Sequence, residues 1–324
     1  MADLLVVTNG DSAAAKLALA LPGVDVLPWR DMLHDGPVLA GLALPELSAL
    51  RAGWLADHLD LDPAATGAAF RERDARLAAV PAGAEVAVCV EHDLYDQLQL
   101  LQVLAELAPR AGEIRLTLAQ ADVHLGPQEP TALADLVQGR RPIEAETVAA
   151  ARKVWDAFRA PTPEGLAREA DKSFPGLPWL APALRRLLEE LPDSSGLTRT
   201  ERATLDVLSA GPASPGQLFV AVDEREQASF LGDWPFFRRL EELAAPPDPL
   251  IEGLPGRFDT AAEPVLRQAW IASRLSLTDA GRAMLAGERD RLADRPPDRW
   301  LGGTHLRPGN LWRWDRAGQR LSRD

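Results

Sequence analysis

An α/β fold with a parallel sheet over residues 1–125 is what the sequence predicts, from three observations. Short apolar runs rich in β-branched residues recur at 4–8, 24–28, 85–90 and 113–118. Helix-forming stretches separate them, and a polar cluster follows each run directly. Strands that alternate with helices pair in parallel, because each crossover helix returns the chain to the same edge of the sheet.

The elements follow in order. "LLVVT" (4–8) is the first strand, and "NGDS" breaks it. "AAAKLALAL" consists of strong helix formers, with Asp11 or Ser12 expected as the N-cap. "VDVLP" (24–28) is the second strand and runs into "WRDMLHDGP", where Gly36-Pro37 closes a turn. Residues 47–79 read as helical. "EVAVCV" (85–90) is the third strand, and a helix starts at Asp93 with Leu94, Leu98, Leu101 and Leu104 on one face. "EIRLTL" (113–118) is the fourth strand, ending in "AQADVH". Together these form a Rossmann-like domain. Residues 126–195 are helical with proline breaks ("APTPEG", "FPGLPWLAP") and read as a connector packed on the sheet domain.

Residues 196–290 read as a separate domain. Thr198 and Glu201 have capping-box spacing ahead of an apolar run. "SPGQLFVAV" and "DWPFFRRLEELA" supply two more helices, then "DPLIEGL" and "SRLSLTDAGRAML" supply two wing strands and a closing helix. That order resembles a winged helix, and "LSLTDAGRAML" is similar to the segment after the wing in MarR-type regulators. Residues 291–324 form a Trp- and Arg-rich tail. Trp300, Trp312 and Trp314, with Gly302-Gly303 and His305, expose too much aromatic surface for a free appendage. The tail is therefore expected to dock on the acidic first domain, with His305 reaching the site.

Composition narrows the function. The chain of 324 residues has room for about two domains. Its single cysteine, Cys89, lies in an apolar run, which excludes a disulfide framework and a Cys-based zinc site. No apolar run reaches membrane-spanning length, and "MADLLVVTNGDS" lacks the basic start of a signal peptide. These features place the protein in the cytoplasm and off the membrane. The formal net charge is -13, which argues against nucleic acid as a partner, since affinity there comes mainly from neutralising phosphates.

In open α/β sheets, ligands bind outside the carboxyl ends of the strands. Four clusters would share that edge: Asn9, Gly10, Asp11 and Ser12; Trp29, Arg30, Asp31 and His34; Glu91, His92 and Asp93; and Gln120, Asp122 and His124. The expected ligand is a small anionic molecule, a nucleotide or phosphoester. Backbone N–H groups at Asn9–Ser12 would hold it, and Arg30 would clamp it. Glu91 and Asp93 would edge the site. Asp31, His34 and His92 are the acid/base candidates, and Ser12 the nucleophile candidate. "GDS" resembles the nucleophile block of SGNH-type hydrolases. That family carries its Asp-x-x-His near the C-terminus, whereas "DMLH" here is early. The plainer readings are a helix cap at Asp11 or Ser12 and a turn at "WRDMLHDGP" with Trp29 packed beneath. Metal binding by His34, His92, His124 and carboxylates is chemically possible, but no HxH or HExxH spacing points to it, and no motif names a cofactor. The rival function is regulation through the winged-helix-like domain, where Arg238 and Arg239 lie on the expected recognition helix. The oligomeric state is left open.

Taken together, "VVTNGDSAA", "LPWRDMLHDGP", "EHDLYDQLQLL", "GLTRTERATLDVL" and "WLGGTHL…WRWD" are similar to bacterial proteins carrying the domain of unknown function 1835. The resemblance runs along nearly the whole chain. It implies that the "GDS" turn, the pattern Asp31, Leu33, Gly36, Pro37 and the segment from Glu91 to Gln97 belong together. It implies no reaction.

Overall fold

The fold is described from a computed structural model, over residues 4–324 with the side chain of Asp294 excepted. The chain forms two compact units. The first holds the residues up to Asp57, Leu61–Arg186 and Trp300–His305; the second holds His58–Asp60, Leu187–Arg299 and Leu306–Asp324. No helix among the described residues is long and apolar enough to cross a membrane.

The first unit is built on β1 (Leu4–Asn9), α1 (Asp11–Ala20), β2 (Asp25–Trp29), α2 (Leu44–His58), α3 (Pro63–Ala78), β3 (Glu85–Glu91), α4 (Leu94–Leu107), β4 (Arg115–Ala121), α5 (Pro130–Gln138), β5 (Arg141–Pro142), α6 (Ala145–Phe158), α7 (Glu164–Ala170) and α8 (Leu180–Leu188). The strand order is β2-β1-β3-β4-β5. The first four strands are parallel, and β5 pairs antiparallel with β4. Alternation along the strands puts Val6, Ala87, Cys89, Ala119 and Ala121 on one face, in a core with Ala13 and Leu17 of α1 and Leu133 and Val137 of α5. Val86, Val88 and Val90 take the other face.

Three local expectations are corrected. The cap of α1 is Gly10, with φ +36° and no side-chain cap; Asp11 and Ser12 are already helical. The helical stretch 47–79 is two helices, separated by Asp60 at φ +54° and restarted at the Asp62 cap before Pro63. β4 runs on through Gln120 and Ala121, and the short β5, which gave no run of apolar residues, makes the sheet mixed.

α4 is the centre of this unit. Every residue from Asp96 to Leu104 is buried, because the helix packs against β3 and against α6. The leucines at 94, 98, 101 and 104 face inward as their spacing requires. The glutamines are buried too, and each has a backbone or side-chain partner. Gln97 donates to the Glu91 carbonyl (2.7 Å) and Gln99 to the Asp31 carbonyl (3.0 Å); Gln102 accepts from the Trp29 indole (2.8 Å). These bonds tie the helix to two strand ends in one register, although Gln97 Oε1, Gln99 Oε1 and Gln102 Nε2 are buried without a partner.

The turn after β2 wraps a buried cation. Arg51 of α2, with no exposed surface, donates to Asp31 Oδ1 through Nε and Nη2 (3.0 and 2.8 Å) and to the carbonyls of Met32 and Asp35 (2.8 and 2.7 Å). Gly36 closes the turn at φ +78°, face-on to the Trp54 ring, where a Cβ would overlap the indole. Gly36→Ala should therefore destabilise by about 2–6 kcal/mol, the sum of a left-handed backbone penalty and overpacking. Urea unfolding of the two proteins checks this.

The second unit contains α9 (Arg199–Ser209), α10 (Pro215–Asp223), α11 (Asp233–Ala244), β6 (Ile251–Glu252), α12 (Pro264–Ile271), β7 (Ser276–Leu277), α13 (Asp279–Leu285) and α14 (Arg291–Asp294). β6 and β7 pair antiparallel. Both halves of the expected Thr198–Glu201 capping box form. An aromatic core joins Phe236, Phe237, Phe258 and Trp270.

The connector expected over 126–195 lies within the first unit as far as Arg186. The tail is ordered but divided. Residues Trp300–His305, in the turn between β8 (Arg299–Leu301) and β9 (Thr304–Leu306), belong to the first unit. There the Val38 N–H donates to the Gly302 carbonyl (2.8 Å) and the Gly303 N–H to the Phe158 carbonyl (2.9 Å). A Cβ on either glycine would collide with the end of α6, which accounts for the "GG" pair. The rest belongs to the second unit, as the hairpin of β10 (Trp312–Asp315) and β11 (Arg320–Arg323). Trp312 and Trp314 are buried there, Arg313 pairs with Asp290 and Asp324, and Arg316 with Asp193. These tail arginines thus neutralise carboxylates of their own unit.

Candidate functional site

The chain crosses from β1 to β2 on one side and continues to β3 on the other, so the carboxyl ends of β1 and β3 flank the point where the strand order reverses. That crevice is where open α/β sheets hold ligands. Here it is occupied by a polar cluster. Asn9, the last residue of β1, donates to Glu91 Oε1 (2.8 Å) and Asp96 Oδ1 (2.9 Å). Asp93 caps α4 by accepting from the Asp96 N–H (2.9 Å), and Asp96 reaches back to accept from the Glu91 N–H (2.5 Å). The Glu91 carboxylate also accepts from the Leu125 N–H (2.6 Å) and lies 2.6 Å from His124 Nδ1, binding the loop after β4 to the end of β3.

Three carboxylates are therefore buried side by side: Glu91, Asp93 and Asp96 are 4%, 3% and 0% exposed. Among the described residues their only ion-pair partner is His124, which is half-exposed and also lies 3.9 Å from Asp93 Oδ2. Burial pushes the Asp93 carboxyl well above the usual carboxylate range, and the neighbouring Asp96 charge adds to it. Burial and the Glu91 charge push Asp96 up to about 8. Carboxyls perturbed by burial at a switch point make this cluster the candidate functional site. Glu91, Asp93 and His124 offer donor atoms within 4.8 Å of one another, a set that could hold a cation.

Aromatic rings and a cavity lie beside the cluster. The His92 ring lies 6.4 Å from His124 and meets Trp179 edge-on at 6.1 Å; its Nδ1 is buried without a hydrogen-bond partner. Trp179 is also a wall of a cavity of about 530 Å³, whose other sides include Gln120 at the end of β4, Ile143, Thr147 and Pro178. Cavities of that volume accept small organic ligands.

The residues singled out from sequence fall into three groups. Asn9, Glu91, His92 and Asp93 converge at the crevice. Asp31 and His34 lie in a separate buried network. Asp31 is held by Arg51, and His34 packs against Tyr95 with ring centroids 5.9 Å apart. Tyr95 links the two groups: burial raises its hydroxyl pKa, and the charges of Asp96 and Asp31 raise it further. The third group is at the rim. Gly10 starts α1, and Asp11 forms an exposed ion pair with Arg30 (Nε to Oδ1 2.8 Å). Ser12 is exposed and donates to the Gly126 carbonyl (3.4 Å). His305 stacks flat on Trp300 at 4.1 Å in the returning tail segment.

Asp96 and Arg51 were the residues missed. Asp96 stands three positions after the cap, where an acidic side chain reads as ordinary first-turn chemistry. Its burial follows from its seat against the ends of β1 and β3, where it accepts from the Asn9 side chain and the Glu91 N–H. Arg51 is surrounded by helix formers in α2 and carries no signal of its own. His124 lies in the fourth polar cluster, and only the Glu91 contact ties it to the third.

Fold and site together define an α/β unit with a carboxylate–histidine cluster at its switch point. Compared with known proteins, the chain matches no family model and no curated protein.

Proposed function

We propose that the first unit binds a small anionic molecule, a nucleotide or phosphoester, at the carboxyl edge between β1 and β3, and acts on it as a hydrolase or transferase. The observation that carries this reading is the convergence of Asn9, Glu91, Asp93, Asp96 and His124 at the strand-order reversal, next to a cavity walled by Trp179. His92 is the proton-transfer group of this reading, and Trp179 the stacking surface for a planar ring. Arg30, at the rim, is the cation that first meets the anion. Ser12 serves as an anion contact in preference to a nucleophile, since its hydroxyl donates to a carbonyl and its contacts include no histidine. We also take the chain to be a relative of the proteins carrying the domain of unknown function 1835, on the five motifs quoted above.

A thermal-shift screen of nucleotides and phosphorylated metabolites tests the ligand reading. At least one should raise the melting temperature of the wild type by several degrees at millimolar concentration, and Trp179→Ala should remove most of the shift. A screen in which no phosphorylated compound shifts the protein ends this reading.

The rival reading, regulation through a winged helix in the second unit, draws support from the order α9, α10, α11 and the β6–β7 pair. The cations it needs are consumed internally. Arg238 is buried and pairs with Glu241 (2.8 Å) and Asp60 (2.6 Å), and Arg239 pairs with Glu242 (3.3 Å). We therefore take this unit as a packing module in preference to a nucleic-acid reader.

A further inference from the structure

An anion bound beside this carboxylate cluster would be drawn closer by a cation between them. We infer that Glu91, Asp93 and His124 form a binding site for one divalent cation, which bridges the carboxylates to the anionic ligand.

Three observations carry this. The first is the donor set. Glu91 Oε2 lies 2.6 Å from His124 Nδ1, and His124 Nδ1 lies 3.9 Å from Asp93 Oδ2. Adjacent ligands on a metal with bonds of about 2.1 Å stand roughly 3.0–3.4 Å apart, so separations must change by about 0.5–1 Å to bring the three, already within 4.8 Å of one another, into coordination. The second is the meeting of two carboxyls. Of the six carboxylate oxygens of Glu91, Asp93 and Asp96, five lie against an N–H or imidazole nitrogen. The sixth, Oδ2 of the buried Asp93, lies 3.9 Å from His124 Nδ1, and the Asp93 carboxyl meets that of Glu91, a contact that only a shared proton or a cation can hold. The third is charge. No Lys or Arg among the described residues pairs with any of the three carboxylates, whereas buried Asp31 and Glu201 elsewhere in the chain each have arginine partners. Isolated buried carboxylates are costly, and coordination of a cation is one of the few remedies.

The supporting groups fit the same role. Asn9 holds Glu91 and Asp96 together, and the Leu125 N–H joins Asn9 on Glu91 Oε1, leaving Oε2 to His124, as outer-shell partners of metal ligands do. One imidazole with two carboxylates suits Mn²⁺, Fe²⁺ or Zn²⁺ better than softer ions. The histidine comes from the loop after β4, 33 residues beyond Glu91, so no local ligand spacing exists in the sequence.

The binding of the ion stands independently of the proposed ligand; only its bridging role rests on that reading. The test uses the full chain, freed of metal with EDTA, in two titrations. Mn²⁺ is followed by loss of the free-ion electron paramagnetic resonance signal, and Zn²⁺ by calorimetry. One equivalent should bind with micromolar affinity. Asp93→Asn keeps the helix cap, since asparagine also accepts the Asp96 N–H. His124→Gln changes a half-exposed side chain. Each should weaken binding at least tenfold with an unchanged circular-dichroism spectrum; if Asp93→Asn fails to fold, His124→Gln decides alone. No binding at 1 mM of either ion, or wild-type affinity in the folded variants, overturns the site. Nucleotides that shift the melting temperature equally with and without Mn²⁺ overturn the bridging role alone. Ion binding without any nucleotide shift upholds the cation site and removes the ligand reading.

Discussion

Arg51→Met should destabilise the first unit by about 3–5 kcal/mol, the usual cost of removing one partner from a buried ion pair. Neither Arg51 nor Asp31 has side-chain exposure, so water cannot replace the lost partner. The carbonyls of Met32 and Asp35 lose a donor as well, which loosens the turn that carries His34. Adding Asp31→Asn to Arg51→Met should recover part of the loss, because the uncompensated charge is gone. Equilibrium urea unfolding of the two single variants and the double variant measures the coupling. A loss under 1 kcal/mol for Arg51→Met would mean that the turn does not depend on its buried cation.

The second large effect is expected at Glu201. Its carboxylate, 1% exposed, accepts from the Thr198 N–H (2.8 Å) and pairs with Arg291 (3.0 Å) and Arg299 (3.2 Å). Burial alone would raise its pKa; the two arginines outweigh burial and hold it at about 2, against an ordinary value of 4.5. A carboxyl lowered on folding contributes stability that is present above pH 4.5 and is lost as pH falls from there through about 2. Glu201→Gln keeps the capping geometry but leaves two arginines facing no charge, and should cost about 3–5 kcal/mol at neutral pH. The deficit should shrink as pH falls through that window, because the wild type loses its own charge there. Unfolding free energies at pH 7, 4 and 3 check this. A deficit that is constant with pH would assign the effect to packing and not to the ion pair.

How much of this was legible beforehand depended on whether the signal was local. β1, β2 and β3 were readable because each is an apolar run bounded by turn residues. α9 was readable because its capping box lies within four positions. β5 was hidden because a two-residue edge strand has no periodicity, and its Arg141 and Pro142 read as a turn. The convergence of Asn9, Glu91 and Asp93 followed from parallel topology alone. Asp31 looked like an available acid because its partner, Arg51, lies 20 residues away on a helix with an unremarkable pattern. The same distance effect concealed the pairing of Glu91 with His124. Three-dimensional partners of charged residues are what a single sequence withholds, and at this site they decide which carboxylates are satisfied.

The return of Trp300–His305 to the first unit has a consequence for how the protein is made. With Gly302 and Gly303 seated against the end of α6, this unit is not a continuous stretch of chain. On the ribosome, everything up to Arg186 emerges more than a hundred residues before the piece that completes it. At about 5–20 residues per second, the nascent unit waits roughly 5–20 s with Phe158 and the Val38 turn uncovered. The second unit is synthesised during that interval. Premature termination ahead of Trp300 would therefore release a chain with both units translated almost to their ends and the first left unsealed.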